Sequence, residues 1–234
     1  MLKIKKKSQS KFFNFNLLSN NKKFKITYYD GWHKLFIYRI DFLKSSKDKF
    51  FFDINKINST DHEEKIIILS KGSINIKEKN LNKKLKKFDC IHTNKSLKKF
   101  ELEYKKGSQL FIVLGEKKLK TKKKLTSFNL EKNLKKIDLW GGKCISRVFN
   151  GQSITIVLFK LKKGFKFHDT GHKNEQITWL IKGKMKFYVK NKSANLKANK
   201  ASVDIGSYDY HGGTSFGAMG FDAFSPKRSE KRYS

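Results

Sequence analysis

The 234 residues carry 54 Lys and Arg against 20 Asp and Glu, a formal net charge of +34, yet 38% are apolar and 14% aromatic. That aromatic content excludes a disordered chain, and the length holds one large β domain or two small ones, each able to bury a core without disulfides or a structural metal. Only four basic residues are Arg (Arg39, Arg147, Arg228, Arg232); since Lys, Asn, Ile and Phe share AT-rich codons, genome bias accounts for the charge and no nucleic-acid partner is expected.

In chain order, residues 1–25 read as a basic arm followed by a short strand. Their apolar part is broken by Asn and has no small-residue cleavage site, so they are not read as a signal peptide. No stretch reaches transmembrane length, and no membrane partner is expected. Strand-like runs follow at KLFIYRIDFL (34–43), KIIILSKGSINIK (65–77), LKKFELEY (97–104) and QLFIVLGEK (109–117), rich in β-branched and aromatic residues. These define a first β domain over 26–118. Residues 119–137 form a Lys-rich connector in which LEKNLKK predicts a short helix.

Strands resume at KCISRVF (143–149), SITIVLFKLKKG (153–164), QITWLIKGKMKFYVK (176–190), ASVDI (201–205) and GAMGFDAFSP (217–226), making a second domain over 138–234. Each half has a Gly-Trp or Trp-Gly pair ahead of a long apolar strand. Each half also has a Lys-Gly step read as a hairpin turn, at Gly72 and Gly183. The fold class this predicts is all-β, two similar barrels or sandwiches in tandem. Cys90 and Cys144 fall in different halves without metal-ligand spacing, which fits a reduced, cytoplasmic setting.

The chemistry concentrates in GFKFHDTGHKNEQITWLIKG, 164–183. Strand alternation would put His168, Thr170 and His172 on one face, with Gln176 opening the next strand and His211 arriving after ASVDI. Imidazoles and a side-chain carbonyl suit a divalent transition metal: Fe, Zn, Ni, Mn or Co. The intervals from Gly164 through Thr170, His172 and Gln176 to Gly183 resemble the first motif of the cupin superfamily. Thr170 stands where the family has its first His, and Gln176 where it has Glu. His211 matches the ligand of the second cupin motif.

EQITWLIKGKM, the later HGG and GFDAFSPKRSEKRY resemble the pectin-degradation cupins that linearise unsaturated uronates. That resemblance covers roughly the last 90 residues. It implies a jelly-roll barrel with His172, Gln176 and His211 as metal ligands, Asp222 as proton carrier and Arg228 as carboxylate clamp; the imidazole missing at Thr170 is expected from His168, which lies on the same strand face, and the cupin resemblance of the whole chain implies two such barrels in tandem. The N-terminal half resembles the degenerate first barrel of other bicupins. Seven residues before Gly72 stands Lys65, a cation at a ligand position, so no metal is expected there.

The function these readings imply is Lewis-acid-assisted isomerisation, ring opening or lyase chemistry on a small anionic, sugar-acid-like metabolite. Two other readings stay open: a non-catalytic ligand-binding bicupin and a cupin dioxygenase. Homodimerisation through sheet edges is a further expectation. Glu175 is read as a surface group or a neighbour of the site, Arg147 and Tyr210 as pocket groups, and Trp179, Phe187, Tyr188 and Phe224 as core.

Overall fold

The structure, a computed structural model, describes residues 10–32, 35–46, 64–78, 81–93, 101–115 and 125–228. The Lys runs at 5–7 and 122–124, His33 and His62 lie outside them. Eighteen strands, β1 to β18, make up the regular structure of the described residues, and all their pairings are antiparallel. Among these residues no helix is long and apolar enough to cross a membrane.

The chain divides into two compact units. One contains Met1–Phe15, Asp30–Leu35 and Leu134–Ser234; the other contains Asn16–Tyr29 and Phe36–Asn133. In the second of these, β2 (Asn16–Asn20), β3 (Phe24–Asp30), β4 (Phe36–Phe42), β5 (Lys65–Lys71), β8 (Asp89–Thr93), β10 (Gln109–Leu114) and β11 (Leu125–Asn129) form a sheet ordered β11-β8-β5-β10-β4-β3-β2. A smaller sheet has β6 (Ile74–Glu78) between β7 (Leu81–Leu85) and β9 (Glu101–Tyr104). Tyr38, Ile40, Phe42, Ile67, Leu69 and Ile112 belong to one apolar core with Ile74, Ile76 and Leu102 of the smaller sheet.

The other unit holds β1 (Lys11–Phe13), β12 (Lys136–Leu139), β13 (Cys144–Asn150), β14 (Thr155–Asp169), β15 (Glu175–Val189), β16 (Lys192–Lys197), β17 (Ser202–Ile205) and β18 (His211–Ser225). Its order is β1-β17-β15-β18-β14-β13-β12, with β16 on β15. Position by position this matches the first sheet: an edge strand, then β17 for β8, β15 for β5, β18 for β10, β14 for β4, β13 for β3 and β12 for β2. The strand plan is repeated although the residues are not.

β14, β15 and β18 are 15 residues each, longer than a small sheet ordinarily uses. Each contains a glycine at positive φ: Gly164 (80°), Gly183 (76°) and Gly217 (87°). The β14/β18 and β15/β18 registers shift beside these glycines, so one strand bends and serves two faces. Gly183 is therefore a bulge inside β15 and not the hairpin turn expected of it. In the other unit the Lys71-Gly72 step separates β5 from β6, which lie in different sheets and do not pair with each other.

Two further departures have local causes. Residues 130–134 of LEKNLKK form a turn, and Lys136 begins β12. Asn129 Oδ1 accepts the backbone N–H groups of Glu131 (3.0 Å) and Lys132 (3.1 Å), a side-chain bond that competes with helix propagation. Within the 1–25 segment, β1 pairs in register with β17, Lys11 opposite Asp204 and Phe13 opposite Ser202. Ser10 Oγ donates to Asp209 Oδ2 (2.5 Å) and accepts the Gly206 N–H (2.7 Å).

Candidate metal centre

The site lies in the unit that carries the long strands. Asp169 ends β14 and sits opposite His211 at the start of β18. Between β14 and β15 the chain turns at Gly171, whose φ is +104° and whose added Cβ would meet the Tyr208 backbone at 2.7 Å. That turn carries His172 inward, against His211: the rings are 5.4 Å apart at 87°. Both histidines are buried. The ligand atoms of Asp169, His172 and His211 all lie within 4.8 Å of one another.

Both rings have a fixed tautomer. His172 Nδ1 is 3.0 Å from the Asn174 carbonyl and His211 Nδ1 is 2.9 Å from the Asp209 carbonyl. A carbonyl only accepts, so Nδ1–H donates in each case and Nε2 keeps the lone pair. This backbone orientation of an imidazole is the usual support of a metal ligand.

The decisive contact is between His172 and Gln176. His172 Nε2 lies 2.9 Å from Gln176 Oε1. The amide cannot usefully turn over, because Gln176 Nε2 donates to Asp222 Oδ1 (3.1 Å) and to Thr178 Oγ1 (3.0 Å). Two lone pairs therefore face each other at hydrogen-bond distance, and only a proton or a cation between them relieves the repulsion. A proton on His172 is disfavoured: burial first, then the nearby Arg228 guanidinium, hold its pKa down at about 4. A divalent cation held by His172, His211, Gln176 and Asp169 fits this donor set.

Asp222 stands on β18 opposite Thr178 of β15 and Val157 of β14. Its carboxylate lines a cavity of about 290 Å³ that also takes in Asp169, Gln176, His211 and Arg228. Burial raises its pKa to about 6, against the hydrogen bonds from Thr178 (2.5 Å) and Gln176 that lower it. Arg228 is buried. Its guanidinium lies 4.7 Å over the Phe224 ring and 3.2 Å from Asp169 Oδ2, and its backbone N–H donates to Thr155 Oγ1 (2.9 Å). Asn174 ties the segment before Arg228 down by donating to the Pro226 carbonyl (2.6 Å).

His168 is not in the ligand group. It sits exposed at the cavity, with Nδ1 2.7 Å from Tyr188 Oη and its ring against Tyr188 and Tyr210. The expected alternation His168, Thr170, His172 ends at Asp169, because β14 stops there and Gly171 turns the chain. The same break puts Asp169 where sequence reasoning had no candidate. Its signal was available in the Asp-Thr-Gly turn, since Asp169 Oδ1 accepts the Gly171 N–H (2.9 Å).

Glu175, expected at or near the surface, is fully buried and packs where a Cβ on Gly31 would go. Arg147 does not line the cavity; it donates to the Leu134 carbonyl (2.9 Å). Tyr210 donates to Asn191 (2.9 Å). Trp179, Phe187 and Phe224 are buried, and Phe187 also faces the cavity.

No family model and no curated protein matches the sequence. Solved structures do match the fold. Protein Ylba from E. coli is 12% identical with a TM-score of 0.69, covering 95% of this chain and 93% of its own. AerE from Microcystis aeruginosa is 14% identical with a TM-score of 0.69, covering 92% and 97%. An oxalate decarboxylase variant from Bacillus subtilis is 9% identical with a TM-score of 0.67, covering 93% and 78%. These neighbours are cupin-type proteins, and the likeness gives this chain an all-β, cupin-type fold.

Proposed function

We propose that the chain is a bicupin, one jelly-roll barrel per unit, and that the barrel containing His172 is a metal-dependent enzyme acting on a small anionic acid. The repeated strand order supports the first part. The second rests on one observation: the His172 Nε2 and Gln176 Oε1 lone pairs meet at 2.9 Å in a place where burial resists a proton.

A divalent cation bound by His172, Gln176, His211 and Asp169 would act as a Lewis acid toward a substrate hydroxyl or carbonyl. Asp169 carries the one negative charge of that set and is paired with Arg228. The pair is neutral together, so the cation's own charge is left for the substrate. Asp222, with a pKa near 6, is suited to accept a proton and return it. Arg228 offers a guanidinium at the cavity for a substrate carboxylate. This division of labour serves isomerisation, ring opening or a lyase step without net redox change. The resemblance of the C-terminal residues to the pectin-degradation cupins puts sugar acids in the first substrate screen, and the aromatic lining of the cavity puts aryl-bearing acids beside them.

The test is elemental analysis of untagged protein alongside His172→Ala and His211→Ala. About one metal per chain, lost in both variants, is the expected result. Metal-free wild-type protein that takes up no Fe, Zn, Ni, Mn or Co overturns it. The competing reading, a ligand-binding barrel without catalysis, draws on the exposed Thr170 at the first-His position. It predicts that Asp222→Asn leaves ligand affinity intact and that no turnover accompanies binding.

A further inference from the structure

The cavity is lined by the polar group Asp169, Gln176, His211, Asp222 and Arg228 and by an aromatic wall that starts beside it. Phe187 stacks on the His211 ring at 6.1 Å, Phe167 lies 6.0 Å from Phe187, and Phe165 and Trp140 follow, with Phe159 and Leu161 also lining the cavity. Ser146 brings a hydroxyl to that wall, and its Oγ lies 3.7 Å from the Cys144 sulfur.

Trp140 stands apart from the other five. They are buried or half-buried, whereas Trp140 is 61% exposed. Its φ is +55°, a backbone region that a bulky side chain rarely occupies. Gly141 (62°) and Gly142 (74°) continue the left-handed turn, and Asp138 accepts the Gly142 N–H. The indole lies 5.3 Å from the Phe165 ring, which stacks at 6.1 Å on Phe167. An exposed indole is thus held by an unfavourable backbone at one end of a continuous aromatic wall. Strain of this kind persists where the surrounding structure imposes it, and it concentrates at functional positions.

We propose that the substrate is amphiphilic: a carboxylate with an adjacent oxygen for the polar end, and an apolar, preferentially aryl, body that packs along the aromatic wall onto Trp140. The inference rests on the metal-enzyme reading for the head and on the wall alone for the body. A polyhydroxylated body would set most of its hydroxyls against phenyl rings that offer no hydrogen bond, since along that wall only the Ser146 hydroxyl and the Trp140 indole N–H are polar, each unmet hydroxyl at a desolvation cost. An aryl body loses nothing there and gains ring contacts. Trp140 is the specificity residue in this arrangement.

Three acids with the same 2-hydroxycarboxylate head separate body from head: lactate, 3-phenyllactate and gluconate. Their affinities are to be measured by calorimetry on metal-loaded wild-type protein, Trp140→Ala and Trp140→Phe. The expected result is 3-phenyllactate binding about tenfold or more tighter than either of the others. Trp140→Ala should lose most of that preference with the lactate affinity unchanged, and Trp140→Phe should retain it. Gluconate binding as tightly as 3-phenyllactate, no preference over lactate, or a preference unaltered in Trp140→Ala would each overturn the proposal. Failure of the metal reading looks different: chelation would leave all three affinities where they were, while the preference among bodies persisted.

Discussion

His172 and Asp222 titrate in opposite senses, and the consequence can be measured in the metal-free protein. His172 is held at about 4 against 6.5 for the free ring, so between those values the unfolded chain binds more protons and stability falls as pH falls. Asp222 is held at about 6 against 3.8, so between those values the folded chain binds more protons and stability rises as pH falls. The two slopes overlap from about pH 4 to pH 6 and oppose each other. Urea denaturation of chelated protein should show little net slope from this pair. Asp222→Asn should expose the His172 slope, losing up to about 3 kcal/mol between pH 6.5 and 4. His172→Asn should show the reverse slope. The same residues mark how far the site can be read from sequence. His172, Gln176 and His211 follow from motif spacing. Asp169 does not, because its place depends on β14 ending one residue after His168, and strand alternation carried past that point selects His168 instead.

At the scale of elements, the mid-strand glycines differ in what surrounds them. A Cβ at Gly183 would fall 1.7 Å from the Gly217 carbonyl oxygen, whereas at Gly164 it would meet nothing within 4 Å. Both hold a left-handed backbone, which costs a non-glycine residue about 1 kcal/mol. Gly164→Ala should cost about that much, while Gly183→Ala adds a collision with backbone and should cost about 3 kcal/mol or more. Chemical denaturation of the two variants compares them directly. Strand legibility follows burial. β4, β5, β10 and the first halves of β14 and β15 are covered and read as runs of Ile, Leu, Val and Phe. The edge and outer strands KFF, NLLSN, LNKKL, LTSFN, KIDL and KSANLK carry Lys, Asn and Ser and look like loops. Gly72 and Gly183 were legible as breaks, but a single sequence does not tell a bulge inside a strand from a turn between two.

For the whole molecule, +34 is a field before it is a contact. A small acid approaching the cavity should be drawn in faster at low ionic strength. Raising salt until the Debye length shrinks from about 30 to about 3 Å should slow association of 3-phenyllactate and leave its dissociation nearly unchanged. Stopped-flow measurement separates the two rates. A dissociation rate that carried the salt effect would locate the charge in the bound complex instead.

Ser10 and β1 give the chain an order of assembly. The partners of Ser10, Gly206 and Asp209, lie far along the chain, Asp209 being 199 positions from Ser10, and the Asp209 carbonyl orients His211. At about 5–20 residues per second, a ribosome releases Ser10 roughly 10–40 s before those partners exist. The unit made from residues 16–29 and 36–133 can fold in that interval while its leading segment waits. The unit containing His172 is then completed when Ser10 and β1, synthesised early, dock onto β17 and the residues after it, synthesised late. A bulky fusion at the N-terminus would intercept that step, and Ser10→Ala, which removes both bonds at a cost of about 1 kcal/mol each, should slow recovery of metal binding on refolding more than it lowers final occupancy.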